Sequence, residues 1–351
     1  MSTNLQQIAD MVGVSVMTVS RALANKAGVS PSTRQRILEA ADQLGYFRRE
    51  PERRSEGVWR IGVLTNGLNN PYAIAVLSGI TDAAQGAGCD LEVHLPHDIG
   101  SDPVGLIMEL TRRDIDALIY LYGTKVENEA YLVQLAERGF PCVLVNQTPA
   151  APQILHVATT DYQGGFDATK YLLQLGHQRI ALITGPASQE SAVARLHGYR
   201  DALAQAGLPV DERMIVAGDF SGASGERAMV EILEMAARPT AVFASNDIMA
   251  FGALRVCKRA GVSVPEEISL IGFDDTPEAS HASPPLTTIK QPLYEIGMTA
   301  VRLATNFLRG DRSVNSVVLK TSLILRSSCL PCLPSPANQA SVKGGVLEPI
   351  A

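Results

Sequence analysis

Apolar residues near the start of the chain recur at helical spacing. Leu5, Ile8, Ala9 and Val12 fall on one face of a first helix, with Asn4 and Gln7 placed as a capping box at its start. Gly13 closes that helix, and Ser15 caps a second that runs from Val16 to about Ala24. This spacing turns Val19 and Leu23 inward and leaves Val16, Met17, Thr18, Ser20 and Arg21 on an open face. A three-residue connection containing glycine is helix-turn-helix geometry. Ser30-Pro31 opens a third helix, with proline where its missing N–H costs nothing, and Gly45 ends it. From Trp59 the pattern changes to short apolar runs alternating with amphipathic stretches. RIGVLTNG, DLEVHL, DALIYLYG and PCVLVN read as strands, with helices between them. After Asp161 the alternation restarts through RIALITG, MIVAGD, TAVFASN and ISLIGFDD. Such βα repetition predicts parallel sheets flanked by helices, in two halves of similar build.

The second helix is where chemistry concentrates. Hydroxyls and an arginine near the start of a helix suit contacts to phosphates and base edges; a small helical module that only packs or binds protein is the plainer alternative. In the rest of the chain, parallel sheets bind ligands at the carboxyl ends of their strands. That rule singles out Asn66, Asn146, Asn246, Asp247, Asp274 and Asp275. Each could also be an ordinary cap for the next helix or turn. Asp247 reads as the cap of the helix IMAFGAL, which leaves Asn246 to look into the cleft.

A chain of 351 residues is too long for one ordinary core and implies two or three domains. No stretch approaches the roughly 18 apolar residues of a membrane span. The N-terminus enters a helix cap without a basic and apolar leader, so no secretory signal is expected. Five cysteines at 89, 142, 257, 329 and 332 show no framework spacing, which fits a reducing cytoplasm. Residues 1–60 hold nine Lys/Arg against six Asp/Glu, so with a whole-chain net charge of −6 the remainder is acidic. A basic head on an acidic body suits a protein that lays only its head on a polyanion. The chain has no nucleophile elbow, phosphate-cradling GxxxxGK[ST] or HExxH, and its histidines lack metal-ligand spacing. An enzyme, a cofactor or a metal is therefore not expected. Cys329 and Cys332 form C-x-x-C, but in a proline-rich tail, 329–351, expected to be disordered.

VGVSVMTVSRAL at 12–23 and VSPSTRQRILEAADQLGY at 29–46 resemble the DNA-binding head of the lactose-repressor (LacI/GalR) family. The body resembles the same family in NNPY (69–72), LGHQRIALITG (175–185), RLHGY (195–199), SNDIMAFGAL (245–254), ISLIGFDD (268–275) and PPLTTIKQP (284–292). The implied fold is α/β: a three-helix helix-turn-helix domain (1–46), a linker (47–59) and a two-lobed body (60–328) like a periplasmic sugar-binding protein. Its N-lobe would comprise 60–160 and 292–319, and its C-lobe 161–291 and 320–328. The linker lacks the leucine with which relatives wedge the minor groove, although Arg48, Arg49, Arg53 and Arg54 could contact phosphates.

By the same resemblance, Val16, Met17 and Arg21 read bases, while Thr18, Ser20 and Asn25 hold phosphates. Arg195, Asp274 and Asn246 would bind the hydroxyls of a small effector, with Tyr72 and Phe220 as aromatic walls and Asp161 as a further contact. Phe220 fits plain core equally well. Gln189 stands where purine-responding relatives carry arginine, which disfavours a purine. The function implied is a cytoplasmic transcriptional repressor. It would bind a palindromic DNA operator as a homodimer under the control of a sugar inducer. A corepressor-activated repressor is the first alternative, and a solute-binding protein without DNA binding the second. No membrane partner is expected.

Overall fold

The structure is a computed structural model. It describes residues 5–23, 28–44, 58–65, 67–68, 70–95, 103–111, 113, 115–121, 126, 129–313 and 315–332. Asn25, Asn66, His97, the linker from 47 to 57 and the tail from 333 onward lie outside the described residues.

Helices α1 (Leu5–Val12), α2 (Val16–Leu23) and α3 (Pro31–Gln43) form the head. They bury Ile8, Ala9, Val12, Val19, Ala22, Ile37, Ala40 and Ala41 in a core of their own. Ser15 caps α2 as expected, with the Thr18 N–H donating to its Oγ at 3.1 Å, and Ser30 caps α3 in the same way, with the Thr33 N–H donating to its Oγ at 3.1 Å. Gly13 turns the chain at φ 75°, a left-handed conformation that suits glycine. Two arginines of α3 finish the helices before it. Arg34 Nη1 donates to the Ala22 carbonyl at 2.8 Å, and Arg36 Nη2 to that of Val12 at 2.9 Å. These carbonyls end helices and would otherwise lack intrahelical donors.

The body alternates strand and helix: β1 (Arg60–Thr65), α4 (Pro71–Ala87), β2 (Asp90–His94), α5 (Pro103–Thr111), β3 (Ala117–Leu121), α6 (Ala130–Glu137), β4 (Cys142–Val145) and β5 (Leu155–Thr159). Then follow α7 (Asp161–Gln174), β6 (Ile180–Ile183), α8 (Glu190–Gln205), β7 (Ile215–Val216), α9 (Gly222–Glu234), β8 (Ala241–Ala244), α10 (Asp247–Ala260), β9 (Ser269–Asp274) and β10 (Thr287–Lys290). The series closes with α11 (Leu293–Leu308), β11 (Val317–Leu319) and β12 (Ser322–Ile324).

Two six-stranded sheets result, ordered β11-β5-β4-β3-β1-β2 and β12-β10-β9-β8-β6-β7. The described pairings are parallel except at one edge, where β12 runs antiparallel to β10 with Ile289 opposite Leu323. That exception departs from a purely parallel expectation, because β12 follows β11 after two residues and enters its sheet without a crossover helix. The chain passes between the sheets three times, after β5, after β10 and after β11. Each sheet is covered on both faces. In the first, α4 and α11 bury Val76, Ile80, Ile296 and Val301 against Val63, Ile119 and Val143. The other face holds Ile107, Leu132 and Leu135. In the second sheet, α9 and α10 cover Ile183, Val242 and Leu270, while α7 and α8 cover Leu182, Phe243 and Phe273.

Among the described residues, three helix pairs approach closely enough for backbone contact, each through two glycines. A Cβ on Gly79 would lie 2.0 Å from the Tyr294 carbonyl, and one on Gly297 2.1 Å from that of Val76. Gly165 and Gly198 place α7 on α8 in the same way, and Gly225 and Gly252 place α9 on α10. The glycines in RLHGY and SNDIMAFGAL thus set helix spacing. They bring the first turns of α8 and α10 to the sheet edge.

The segment 329–332 corrects the expectation of a tail disordered from Cys329. The Leu330 N–H donates to Ser269 Oγ at 3.0 Å, and the Cys332 N–H to the Leu175 carbonyl at 2.7 Å. His177 Nε2 bonds the Leu330 carbonyl at 3.0 Å. Cys329 is buried, and burial pushes its thiol up to about 12, far from a reactive thiolate.

Candidate functional site

On the head, α2 presents Met17, 67% exposed, and the exposed Arg21. Thr18 and Ser20 are half-buried, and Thr18 Oγ1 shares a hydrogen bond with Ser15 Oγ at 2.8 Å. Val16 departs from the expected open face. It is half-buried against the head core because it sits one turn before Val19 on the same side of the helix.

In the body, residues of both sheets line one cavity of about 460 Å³. The side of the first sheet contributes Asn70, Tyr72, Leu121 and Asn146; the opposite side contributes Gln189, Glu190, Arg195, Phe220, Asn246 and Asp274. Non-glycine residues with left-handed φ among the described residues are Asn146 (55°), Phe220 (66°), Asp274 (118°) and Asp275 (58°). Of these, the first three line the cavity. Asn and Asp tolerate this region; phenylalanine there is strained, and such strain collects at functional sites.

Arg195 is the organising side chain. It rises from α8 and is only 3% exposed. Its Nε donates to Asp161 Oδ1 at 2.8 Å, Nη2 lies 2.7 Å from the same oxygen, and Nη1 donates to the Ser245 carbonyl at 2.5 Å. The guanidinium stacks on Phe273 at 3.7 Å from the ring centroid, and Nη1 stands 3.9 Å from Asp274 Oδ1. Asp161, expected among the effector contacts, is absent from the cavity lining. It stands behind Arg195 as its ion-pair partner, with Thr159 Oγ1 at 3.0 Å from its other oxygen.

Asp274 lies in the lining, buried at the end of β9, with Gln291 Nε2 donating to its Oδ1 at 2.7 Å. Burial pushes its carboxyl up to about 7, against the pull of Arg195 and the Gln291 hydrogen bond. A carboxyl with a raised folded pKa binds its proton in the native state at pH values where the unfolded chain has lost it. The stability it confers therefore falls as pH rises towards about 7. Unfolding of the ligand-free protein should show stability declining between pH 5 and pH 8, with Asp274→Asn flattening the decline. A wild type equally stable across that range would contradict this assignment.

The order of roles at the α10 terminus is the reverse of that expected. Asn246 is the cap, its Oδ1 accepting the Met249 N–H at 2.9 Å, while its Nδ2 donates to the Phe220 carbonyl at 3.1 Å. Asn246 still lines the cavity, but it is not free: one N–H of its amide remains to meet a ligand. Asp247 is fully buried, accepting from the Thr276 N–H at 2.8 Å and Thr288 Oγ1 at 2.6 Å. Burial and the nearby Asp274 hold its carboxyl well above the ordinary range. The cause of the reversal is backbone conformation. Asn246 is extended at φ −153°, as a capping residue must be, whereas Asp247 is already helical.

Tyr72 and Phe220 face the cavity as its aromatic walls. The amide of Asn146 donates to the Tyr72 hydroxyl, while its Oδ1 is buried without a partner. A buried acceptor without a donor costs free energy until a ligand supplies one. Asn146 was legible as a strand end, but it did not stand among the expected effector contacts. Gln291 and Glu190 were not singled out at all. Among the described residues, no cluster of His, Cys, Asp and Glu is placed to hold a metal, and no helix is long and apolar enough to cross a membrane.

Residues 4–49 match the model of bacterial regulatory proteins of the lacI family, and residues 169–329 that of the periplasmic binding protein-like domain. The HTH-type transcriptional regulator DegA of Bacillus subtilis is 31% identical over 94% of this chain and 99% of its own length. The chain belongs to the LacI family. Two solved members share its fold along nearly their whole length. The regulator CelR in complex with cellobiose has a TM-score of 0.70 at 30% identity, covering 93% of this chain and 99% of that one. The lac repressor dimer bound to operator and the anti-inducer ONPF has a TM-score of 0.69 at 28% identity, covering 94% and 100%. This LacI-family protein is a DNA-binding transcriptional regulator: a helix-turn-helix head joined to a two-sheet body with a cavity at the strand ends.

Proposed function

We propose that this protein is a repressor that binds a palindromic operator as a homodimer, with operator affinity set by a neutral sugar in the cavity. Its place is with DNA in the cytoplasm. Met17 and Arg21 read base edges from α2, with Val16 contributing its exposed edge, while Thr18, Ser20 and Asn25 hold phosphates. In the body, Arg195 and Asp274 take ligand hydroxyls as donor and acceptor, Asn246 adds its remaining N–H, and Tyr72 and Phe220 pack the apolar face of a sugar ring. Asp161 acts on the ligand only through Arg195.

The observation that carries the effector reading is the charge of the lining. Among the described residues its carboxyl groups are those of Glu190, Asp219 and Asp274, and its one guanidinium, Arg195, is already paired with Asp161. Asp219 is held down at about 2, chiefly by its hydrogen bond with Ser221, and so is ionised near neutral pH. A phosphate or carboxylate would enter this cavity against fixed negative charge, whereas hydroxyls find acceptors, including the orphan oxygen of Asn146. The cellobiose seen with CelR fits this chemistry. Occupancy shifts the lobes towards the arrangement that binds the ligand better, and thereby the spacing of the two heads.

A thermal-shift panel of mono- and disaccharides, their phosphates and purines tests this reading. A sugar at 100 times its Kd should stabilise the fold by about 2.7 kcal/mol, with its phosphorylated form inert. A shift only with phosphates or purines would transfer the role to a corepressor of that class.

A further inference from the structure

Beyond the three crossings between the sheets, a hydrogen bond between described residues joins the two sides of the cavity at its rim. Glu190, the first residue of α8, reaches across and accepts the backbone N–H of Thr148 through Oε2 at 2.8 Å. Thr148 follows β4 in the first lobe, and its loop is held rigidly from its own side. Glu129 accepts the N–H groups of Ala150 and Ala151, each at 2.9 Å, and Gln147 Oε1 accepts that of Val126 at 3.1 Å. A donor fixed in one lobe therefore meets a charged acceptor on a helix terminus of the other. An acidic residue in the first turn of α8 would be favourable for the helix alone. That reading does not account for the direction of its carboxylate, which leaves its own helix for the opposite lobe.

We propose that Glu190 is a clasp that sets the balance between open and closed lobes. A hydrogen bond to an ionised acceptor is stronger than a neutral one, and this one forms only when the lobes are together. It joins the lobes at a point separate from the three chain crossings, between the loop after β4 and the first residue of α8. Losing it shifts the ligand-free protein towards the open form and, where closure is needed to retain a ligand, lowers apparent affinity by the drop in the closed fraction. The clasp rests on the cavity being an effector site only for that last consequence; the bond and the lobe balance exist without ligand.

The test uses the full-length, ligand-free protein. Residue-resolved hydrogen exchange reads the Thr148 amide itself, in wild type, Glu190→Ala and Glu190→Gln, with small-angle scattering on the same samples. The expected result is exchange at Thr148 faster by about tenfold or more in Glu190→Ala, with the amides of Ala150 and Ala151 unchanged and a larger radius of gyration. Glu190→Gln keeps an acceptor oxygen and should retain most of the protection and the compact profile. Unchanged Thr148 exchange in Glu190→Ala would overturn the proposal, since the helix-dipole role would then suffice for Glu190. Faster exchange with an unchanged scattering profile would overturn the claim that the bond governs closure.

Discussion

Replacing Arg195 with methionine should cost about 3–5 kcal/mol of unfolding free energy at pH 8, the range for removing one partner of a buried ion pair. Methionine keeps much of the length and apolar bulk, but it leaves Asp161 Oδ1 without either of its nitrogens and the Ser245 carbonyl without Nη1. It also gives up the stacking on Phe273. Two further results separate this cause from simple misfit. The loss should shrink at pH 5, because the stranded carboxyls can take up protons. Adding Asp161→Asn should recover part of it, since contacting pairs are non-additive by about 0.5–3 kcal/mol. Lysine at 195 should fail as well, having no planar fork to serve Asp161 and Ser245 together. A loss below about 1 kcal/mol for Arg195→Met would show that the cluster contributes little to the fold. Equal losses at both pH values would show that charge is not the reason.

Arg21→Ala should weaken binding to the specific operator by about 1–3 kcal/mol, roughly 5- to 150-fold in Kd, and change binding to random duplex little. The side chain is exposed on the outer face of α2 and stands apart from the head core of Ile8, Val19 and Ile37. Thermal stability should therefore be unaffected. The operator itself is obtained by selection from random duplexes with the wild-type protein. An equal loss on specific and random DNA would make Arg21 a phosphate contact. No loss on either would remove it from the interface.

The regular parts of this protein were legible because they depend on local rules. Ser15 and Ser30 cap helices in any context that lets their hydroxyls reach an N–H two or three residues on, and each was found doing so. The alternation of short apolar runs with amphipathic helices, each sheet being buried on both faces, identified the α/β body. The places where the reading failed depend on partners distant in sequence or on a single backbone angle. Nothing at position 161 shows that its carboxylate will be taken by a guanidinium 34 residues later. The choice between Asn246 and Asp247 as the cap turns on which of them is extended, and both types cap equally well. The polar neighbours of Val16 point it outward, but one turn of helix puts it over Val19. The stretch at Leu155–Thr159 was not named as a strand, although it lies inside the first sheet between β4 and β11. Cys329 to Cys332 carry tail-like composition, and it is partners distant in sequence, the buried Ser269 and His177 and the Leu175 carbonyl, that give them a place.

The central claim is that one small molecule in the cavity changes how the heads hold DNA. The direct measurement is the affinity of the full-length protein for its selected palindromic operator, at fixed salt, with and without the neutral sugar that raises its melting temperature. The account predicts a fall in operator affinity of at least about tenfold, a coupling of about 1.4 kcal/mol, which disappears in Asp274→Ala while DNA binding without sugar stays intact. Operator affinity unchanged at saturating sugar would contradict the account, because the cavity would then bind a ligand without controlling DNA.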